Sequence, residues 1–385
     1  MDPNGSMRPC CTSDHDSSFG NSKDYTRLID AVNSPGLKNL RKEFLEGKRP
    51  ESCSRCWVHE DTSGNDLNSY RAYINGMFRD TSLDLLDRTQ ADGTLDEFTL
   101  KYVDFRWAST CNFACISCGP YYSSKWATEL KQPIYQLPNK QYWIEELVTT
   151  RLNEIEVIYF VGGEPFLLPE HWRLLEALSK SGRAHEISLR YNSNLSTLQF
   201  EKKNALDYFP AFKDIEIVGS FDHYGAKAEL IRWGTDWKEI KQNLEYIRDL
   251  NQPNLRVGIN TVVTSLNILD FKDIMQYWLE LYNEKLATPM TLYRAVDPPW
   301  LDPRNLPTVA LEKVAEDIDG LYEQYGCLEW YRMFMTDVKN FILSDCPNDR
   351  IEKRNEFVKR MDELDQRRKT NWRLTLPELA RALQA

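Results

Sequence analysis

The sequence predicts an α/β chain: an open, partial (β/α)6 TIM-like barrel, with a small cysteine-rich unit before it and a helical tail after it. Three observations lead there. Strand-like runs recur after residue 100, at 102–107 (YVDFRW), 155–161 (IEVIYFV), 186–192, 214–221, 255–263 and 289–296. Segments of helical periodicity separate them, as in PEHWRLLEALSKSG (169–182), where Trp172, Leu175, Ala177 and Leu178 share a face and Gly182 follows as a stop. Repeated β–α units imply parallel strands with right-handed crossovers, whose functional groups gather at the carboxyl edge of the sheet. Six such units fall short of the eight that close a barrel.

The barrel is expected over 100–300, with a helical extension over 301–385 that begins its last stretch as a charged amphipathic helix from 349. The charge run in that helix reads as a solvated face. Residues 1–75 are rich in Ser, Asn, Asp and Gly, carry few strand-like runs and hold four of the nine cysteines, so a loop-rich unit stapled by metal is expected. At 385 residues, 42% hydrophobic and 28% charged, the chain is globular and has ample core. Its 58 acidic against 48 basic residues give a net charge of -10, which disfavours nucleic acid as a partner. The first thirty residues hold no apolar signal core, and no window reaches the roughly 18–20 apolar residues of a membrane span, so a cytoplasmic protein is expected.

The cysteines are Cys10, Cys11, Cys53, Cys56, Cys111, Cys115, Cys118, Cys327 and Cys346. In a reducing compartment, clustered thiols point to metal more than to disulfides. Cys111, Cys115 and Cys118 fall within eight residues, in the spacing C-x3-C-x2-C, directly after the first strand. A disulfide would leave one thiol over, and a tetrahedral zinc site would need a distant fourth ligand. Three thiolates on one loop can instead hold three irons of a [4Fe–4S] cluster and leave the fourth iron open to a small molecule.

At this point the sequence resembles the radical S-adenosylmethionine (SAM) superfamily, whose C-x3-C-x2-C loop follows the first barrel strand and whose open iron is chelated by SAM. Ser117 stands where the family commonly places a bulky or aromatic residue near adenine. The later YFVGGEPF stretch matches the family's GGEP motif at Gly162, Gly163, Glu164 and Pro165. Glycines let backbone approach a ligand closely, and the carboxylate can accept from an ammonium group. By the same resemblance Ser220 and Arg232 bind the SAM carboxylate, Asn194 and Asp222 lie near the ribose or the substrate, and Asn260 and Val262 lie beside the adenosine. Asn192, Asn194, Ser220 and Asp222 fall at strand ends, where polar turn formers are also ordinary, and Arg232 suits a surface salt bridge equally well. The resemblance implies reductive cleavage of SAM to a 5′-deoxyadenosyl radical that abstracts hydrogen from a substrate. His171, His185 and His223 come with no G-x-S-x-G or comparable nucleophile signature and read as helix or loop histidines.

The stretches DPNGSMRPCC and GKRPESCSRCWVHE, with LKNLRKEFLEGK between them, resemble the SPASM and twitch auxiliary-cluster modules of the same superfamily. So does RRKTNWRLTLPEL near the carboxyl end. The resemblance implies a second Fe–S cluster on Cys10, Cys53 and Cys56, with Cys11 as a fourth ligand, structural zinc on these thiols being the alternative. The family pattern carries an upstream cysteine in an FC..PW stretch, whereas this sequence starts at MDPNG as if without it; on that reading the resemblance implies an incomplete site, an open iron, or recruitment of Cys327 or Cys346. Buried packing is the plainer reading of those last two. The expected function is therefore a radical SAM oxidoreductase that oxidises or cross-links a peptide or protein, fed by a donor such as ferredoxin or flavodoxin. A small-metabolite substrate and a zinc-stapled binding protein without catalysis are the alternatives.

Overall fold

The computed structural model describes residues 1–13, 19–63, 69–294, 298–326 and 328–384. Six parallel strands form one sheet: β1 (Tyr102–Val103), β2 (Val157–Phe160), β3 (Ser188–Ser193), β6 (Asp214–Ser220), β7 (Leu255–Val263) and β8 (Thr288–Arg294), in the order β1-β2-β3-β6-β7-β8. Between β3 and β6, β4 (Gln199–Phe200) and β5 (Lys203–Asn204) make a two-residue antiparallel ribbon. Among the described residues β1 and β8 are unpaired edges, so the sheet is the expected open barrel.

Alternation along the strands fixes the two faces of this sheet. Leu189, Tyr191, Ile215 and Ile217 are fully buried against the helical layer, while Arg190, Asn192, Glu216 and Val218 are half-buried on the concave face. The helix Pro169–Lys180 forms as expected and buries Trp172, Leu175 and Leu178, together with Leu174 and His171. Gly182, at a φ of 77°, follows its end.

Three expectations need correction. β1 spans two residues rather than six, because beyond Val103 the chain pairs elsewhere: the Arg106 N–H donates to the Met1 carbonyl at 2.9 Å. The amino-terminal unit is largely helical, with helices Leu28–Val32, Pro35–Leu45, Ser54–Ser63, Tyr70–Met77 and Arg79–Arg88. Its helices are polar and short, and are fixed by tertiary hydrogen bonds such as Arg41 Nε to the Gly93 carbonyl (2.7 Å) and Ser34 Oγ to the Phe19 carbonyl (2.6 Å). The charged helix Arg350–Arg368 exists, yet one end of its charge run is not solvated: Arg368 is buried, binds Glu129 at 3.1 Å and stacks 4.4 Å from the Trp126 ring. Before it, helices Thr308–Tyr325 and Glu329–Ile342 pack on one another, the second also against β8. No helix of the described residues is long and apolar enough to cross a membrane.

Candidate functional site

The cysteine loop is held from behind by its non-cysteine residues. Phe113, Ala114 and Ile116 are buried in the core, so the residues between the thiols act as pegs. The Ala114 and Ile116 N–H groups donate to the carbonyls of Trp233 (2.7 Å) and Ile231 (2.8 Å). On the other side, the helix Ser124–Leu130 contributes Ser124 Oγ, which accepts from the Cys111 N–H at 3.0 Å, and Trp126 Nε1, which donates to the Cys115 carbonyl at 2.7 Å. Ser123 caps that helix and donates to the Phe113 carbonyl.

The GGEP turn is seated directly on this loop. Gly162 and Gly163 have φ of 89° and 59°, a region that disfavours side chains. A Cβ on Gly163 would stand 2.1 Å from the Thr110 carbonyl oxygen, and one on Gly162 would meet the Arg106 side chain at 2.9 Å. The Glu164 N–H donates to that same Thr110 carbonyl at 2.8 Å. Pro165 then opens a single helical turn, Pro165–Leu167. Two motifs some fifty residues apart thus share one backbone contact immediately before Cys111.

Glu164 is fully enclosed. Its carboxylate accepts from Ser193 Oγ and from the Asn194 N–H, each at 2.8 Å, which ties the end of β3 to the glycine turn. Burial pushes this carboxyl up to about 7, against the opposing pull of those donors and of Arg232. Asn194 spends its own amide on the loops: Nδ2 donates to Asn112 Oδ1 at 2.9 Å, and Oδ1 accepts from Ser196. Ser193 and Asn112 carried no sequence signal of their own beyond lying next to predicted residues.

Arg232 bridges β6 and the cysteines. Its Nε donates to Asp222 Oδ2 at 2.9 Å, and its Nη1 lies 3.5 Å from Cys115 Sγ. The other Asp222 oxygen accepts from the Val262 N–H at 2.9 Å, so both carboxylate oxygens are engaged within the protein. Ser220 ends β6 opposite Asn260 of β7, and both are half-buried on the concave face; Asn260 accepts from Thr291 at 3.1 Å. The three histidines lie elsewhere. His171 pairs with Tyr191 in the core at 3.0 Å, His223 meets Asp270 at 3.3 Å, and His185 is exposed beside Glu186.

Burial raises the thiols of Cys111, Cys115 and Cys118; Cys115 adds to the rise at both Cys111 and Cys118, and Cys118 to that at Cys111. Cys118 reaches the surface as a residue, while burial of its sulfur lifts its thiol to about 11. Among the described residues, no three His, Cys, Asp or Glu side chains converge closely enough for a single ion. In the amino-terminal unit burial also raises Cys53, and Cys10 and Cys56 add to it, placing these three as neighbours. Cys11, a neighbour of Cys10, hydrogen-bonds Tyr70 and joins Tyr159, Asn192, Val218 and Tyr293 around a cavity of about 530 Å³ on the concave face of the sheet. Cys346 accepts from Arg350 at 3.3 Å; Cys327 lies outside the described residues.

Comparison with known proteins gives the class. The radical SAM superfamily model matches residues 107–277, spanning the cysteine loop and the sheet as far as the helix after β7. An iron-sulfur cluster-binding domain, SPASM, matches residues 1–57. The chain belongs to the radical SAM superfamily, and within it to the SPASM/twitch type. The superfamily is one of enzymes, and membership brings with it a [4Fe–4S] cluster, SAM and further Fe–S binding. The tungsten-containing aldehyde ferredoxin oxidoreductase cofactor-modifying protein of Pyrococcus furiosus is 25% identical over 193 residues, 47% of this chain and 49% of the relative. The chain thus spans about half the length of that curated relative. Among solved structures, SuiB of Streptococcus suis bound to S-adenosylmethionine is 16% identical with a TM-score of 0.41, covering 79% of this chain and 64% of that one. The protein anSMEcpe with bound AdoMet is 18% identical with a TM-score of 0.40, covering 62% of each chain.

Proposed function

We propose that the protein is a radical SAM oxidoreductase that cleaves SAM reductively at a [4Fe–4S] cluster on Cys111, Cys115 and Cys118 and oxidises or cross-links a peptide or protein by hydrogen abstraction. The observation that carries this reading is the seating of Gly162 and Gly163 on the Thr110 carbonyl, which sets Glu164 beside the cysteine loop. When bound and reduced, the cluster supplies an electron to the sulfonium of SAM, breaking a carbon–sulfur bond and giving a 5′-deoxyadenosyl radical.

The chain's own residues do the rest. Gly162 and Gly163 admit close approach of the ligand, Glu164 accepts from its ammonium group, and Pro165 fixes the turn. Arg232 and Ser220 receive its carboxylate. Asp222, which accepts from Arg232 and from the Val262 N–H, positions Arg232 beside the ligand. Asn194 braces the cysteine loop through Asn112. Substrate enters the concave cavity, where Tyr159, Asn192, Val218 and Tyr293 face it. Cys10, Cys53 and Cys56 hold the auxiliary cluster, while Cys11 faces the cavity. A ferredoxin or flavodoxin supplies the electrons. A small-molecule substrate is the second reading, favoured by the cofactor-modifying role in the name of the Pyrococcus furiosus relative.

Anaerobic purification and reconstitution tests this. About four irons per chain, or about eight with the auxiliary cluster, and release of 5′-deoxyadenosine with dithionite are expected. A colourless zinc protein without SAM cleavage would overturn it. In the same assay Cys53→Ala should lose about four irons yet keep uncoupled 5′-deoxyadenosine release, while Cys11→Ser should keep every iron. Full iron in Cys53→Ala, or loss of iron in Cys11→Ser, counts against this ligand assignment.

A further inference from the structure

Beside the amino-terminal cysteines a cationic side chain buries a donor that nothing accepts. Arg71 stands in the first turn of the helix Tyr70–Met77, and its Nε is enclosed with no acceptor among the described residues. We propose that Arg71 sets the reduction potential of the auxiliary cluster on Cys10, Cys53 and Cys56, its Nε–H donating to a sulfur of that centre and its charge favouring the reduced state; the inference rests on the auxiliary-cluster reading above.

Placement makes the first part of the argument. Tyr70, the preceding residue of the helix, hydrogen-bonds Cys11, the chain neighbour of Cys10. The Arg71 guanidinium lies over the Trp57 ring, 4.2 Å from its centroid, and Trp57 directly follows Cys56. Arg71 is also close enough to Cys53 for its charge to oppose the rise that burial gives that thiol. One arginine thus borders all three segments that carry the proposed ligands.

Rigidity makes the second part. Trp57 Nε1 donates to the Pro50 carbonyl at 3.0 Å, which fixes the ring under the guanidinium. Arg71 Nη2 pairs with Glu60, itself buried and accepting from Ser69 Oγ. Ring and carboxylate hold the guanidinium in place, and neither uses Nε. A buried N–H of a charged group left without an acceptor is costly, so native structures rarely keep one unless a further group completes it. A cluster thiolate or sulfide is such a group.

Charge makes the third. Reduction adds one negative charge to the cluster, and N–H donors to its sulfurs together with nearby positive charge stabilise that state and raise the potential. Glu60 offsets part of the Arg71 charge through Nη2 and leaves the Nε donor untouched. Two other cations stand near, but both are exposed: Arg55 lies between Cys53 and Cys56 in the chain, and Arg49, 4.8 Å over Trp57, pairs with Asp61 at the surface. Water and salt screen those two far more than the enclosed Arg71.

The test is a redox titration followed by electron paramagnetic resonance, on the full-length reconstituted protein carrying Cys115→Ala, so that the amino-terminal irons are read alone. Added to that background, Arg71→Met keeps an apolar stem against Trp57 and should retain about four irons per chain. It should lower the potential by about 59 mV, a tenfold change in the ratio of reduced to oxidised cluster for a one-electron couple. Glu60→Gln still accepts from Ser69 and Arg71 but drops the opposing charge, and should move the potential upward, a gain that misfolding does not mimic. A fall in Arg71→Met with no fall in Glu60→Gln carries the inference. An unmoved or raised potential in Arg71→Met, or a fall in both variants, overturns it. Should Arg71→Met lose its irons, Glu60→Gln decides by whether its potential rises. Absence of any cluster signal from Cys115→Ala itself would instead remove the auxiliary-cluster reading, so the two failures are distinguishable.

Discussion

Replacing Cys115 with alanine is expected to remove one whole cluster, about four irons per chain, and to bring 5′-deoxyadenosine release down to background. The magnitude follows from the anchoring. Cys115 is the middle thiol of the loop, buried, with its sulfur 3.5 Å from Arg232 Nη1. With it gone, a cube retains Cys111 at one end and Cys118 at the surface, and a cluster held at two corners is open to loss and to oxygen. The fold should survive, because the backbone around residue 115 is fixed by groups other than the thiol: the Trp126 bond to its carbonyl and the pegs Phe113, Ala114 and Ile116. Circular dichroism and thermal unfolding of the apo-protein should therefore match wild type while iron and cleavage collapse. The amino-terminal irons should remain, visible in the electron paramagnetic resonance of the reduced variant. Wild-type cleavage by Cys115→Ala would refute the cluster assignment outright.

How far the sequence could be read depended on how local the physics was. The strands β2, β3, β6, β7 and β8 were legible because runs rich in β-branched and apolar residues, such as IEVIYFV and LRVGINTVV, recur between helical segments, whereas the β4–β5 ribbon carried no such run. The cysteine loop and the GGEP turn were legible because each packs its chemistry into one contiguous stretch. Of the amino-terminal helices, Pro35–Leu45 sets Leu37, Leu40 and Phe44 along one face, whereas the bonds from Arg41 and Ser34 to distant carbonyls that fix it are tertiary and were not legible. The engagement of Asp222 by Arg232 and the Val262 N–H, the bond from Asn194 to Asn112, and the clamp of Arg368 on Glu129 are likewise tertiary facts. Cys10 and Cys11 make the point within one dipeptide: the sequence cannot show that Cys10 is an electrostatic neighbour of Cys53 while Cys11 hydrogen-bonds Tyr70.

Glu164→Gln is expected to have opposite effects on stability and on ligand binding. Folded, the Glu164 carboxyl titrates near 7 instead of its ordinary 4.5, because burial disfavours the charge more than Ser193, Asn194 and Arg232 restore it. The folded protein therefore holds this proton more tightly than the unfolded chain. Stability from this group is greatest below the unfolded value, declines as pH rises toward 7, and stays reduced above it by about 3 kcal/mol. Glutamine keeps the shape, can accept from the Asn194 N–H and donate to Ser193 Oγ, and carries no charge to desolvate. The ligand-free variant should thus unfold at higher temperature than wild type at pH 8 and at about the same temperature at pH 4.5. SAM binding should go the other way. An ammonium group entering beside Glu164 matches the charge that burial penalises, and losing that charge-assisted bond should weaken SAM by about 10–100-fold at pH 8. Wild-type affinity should climb as pH rises toward 7 and Glu164 ionises, while the variant's affinity shows no such rise. Equilibrium dialysis of SAM against reconstituted protein from pH 5.5 to 8 measures both. Equal, pH-independent affinities in the two proteins would take the ammonium contact away from Glu164 and leave its carboxylate as a brace for β3.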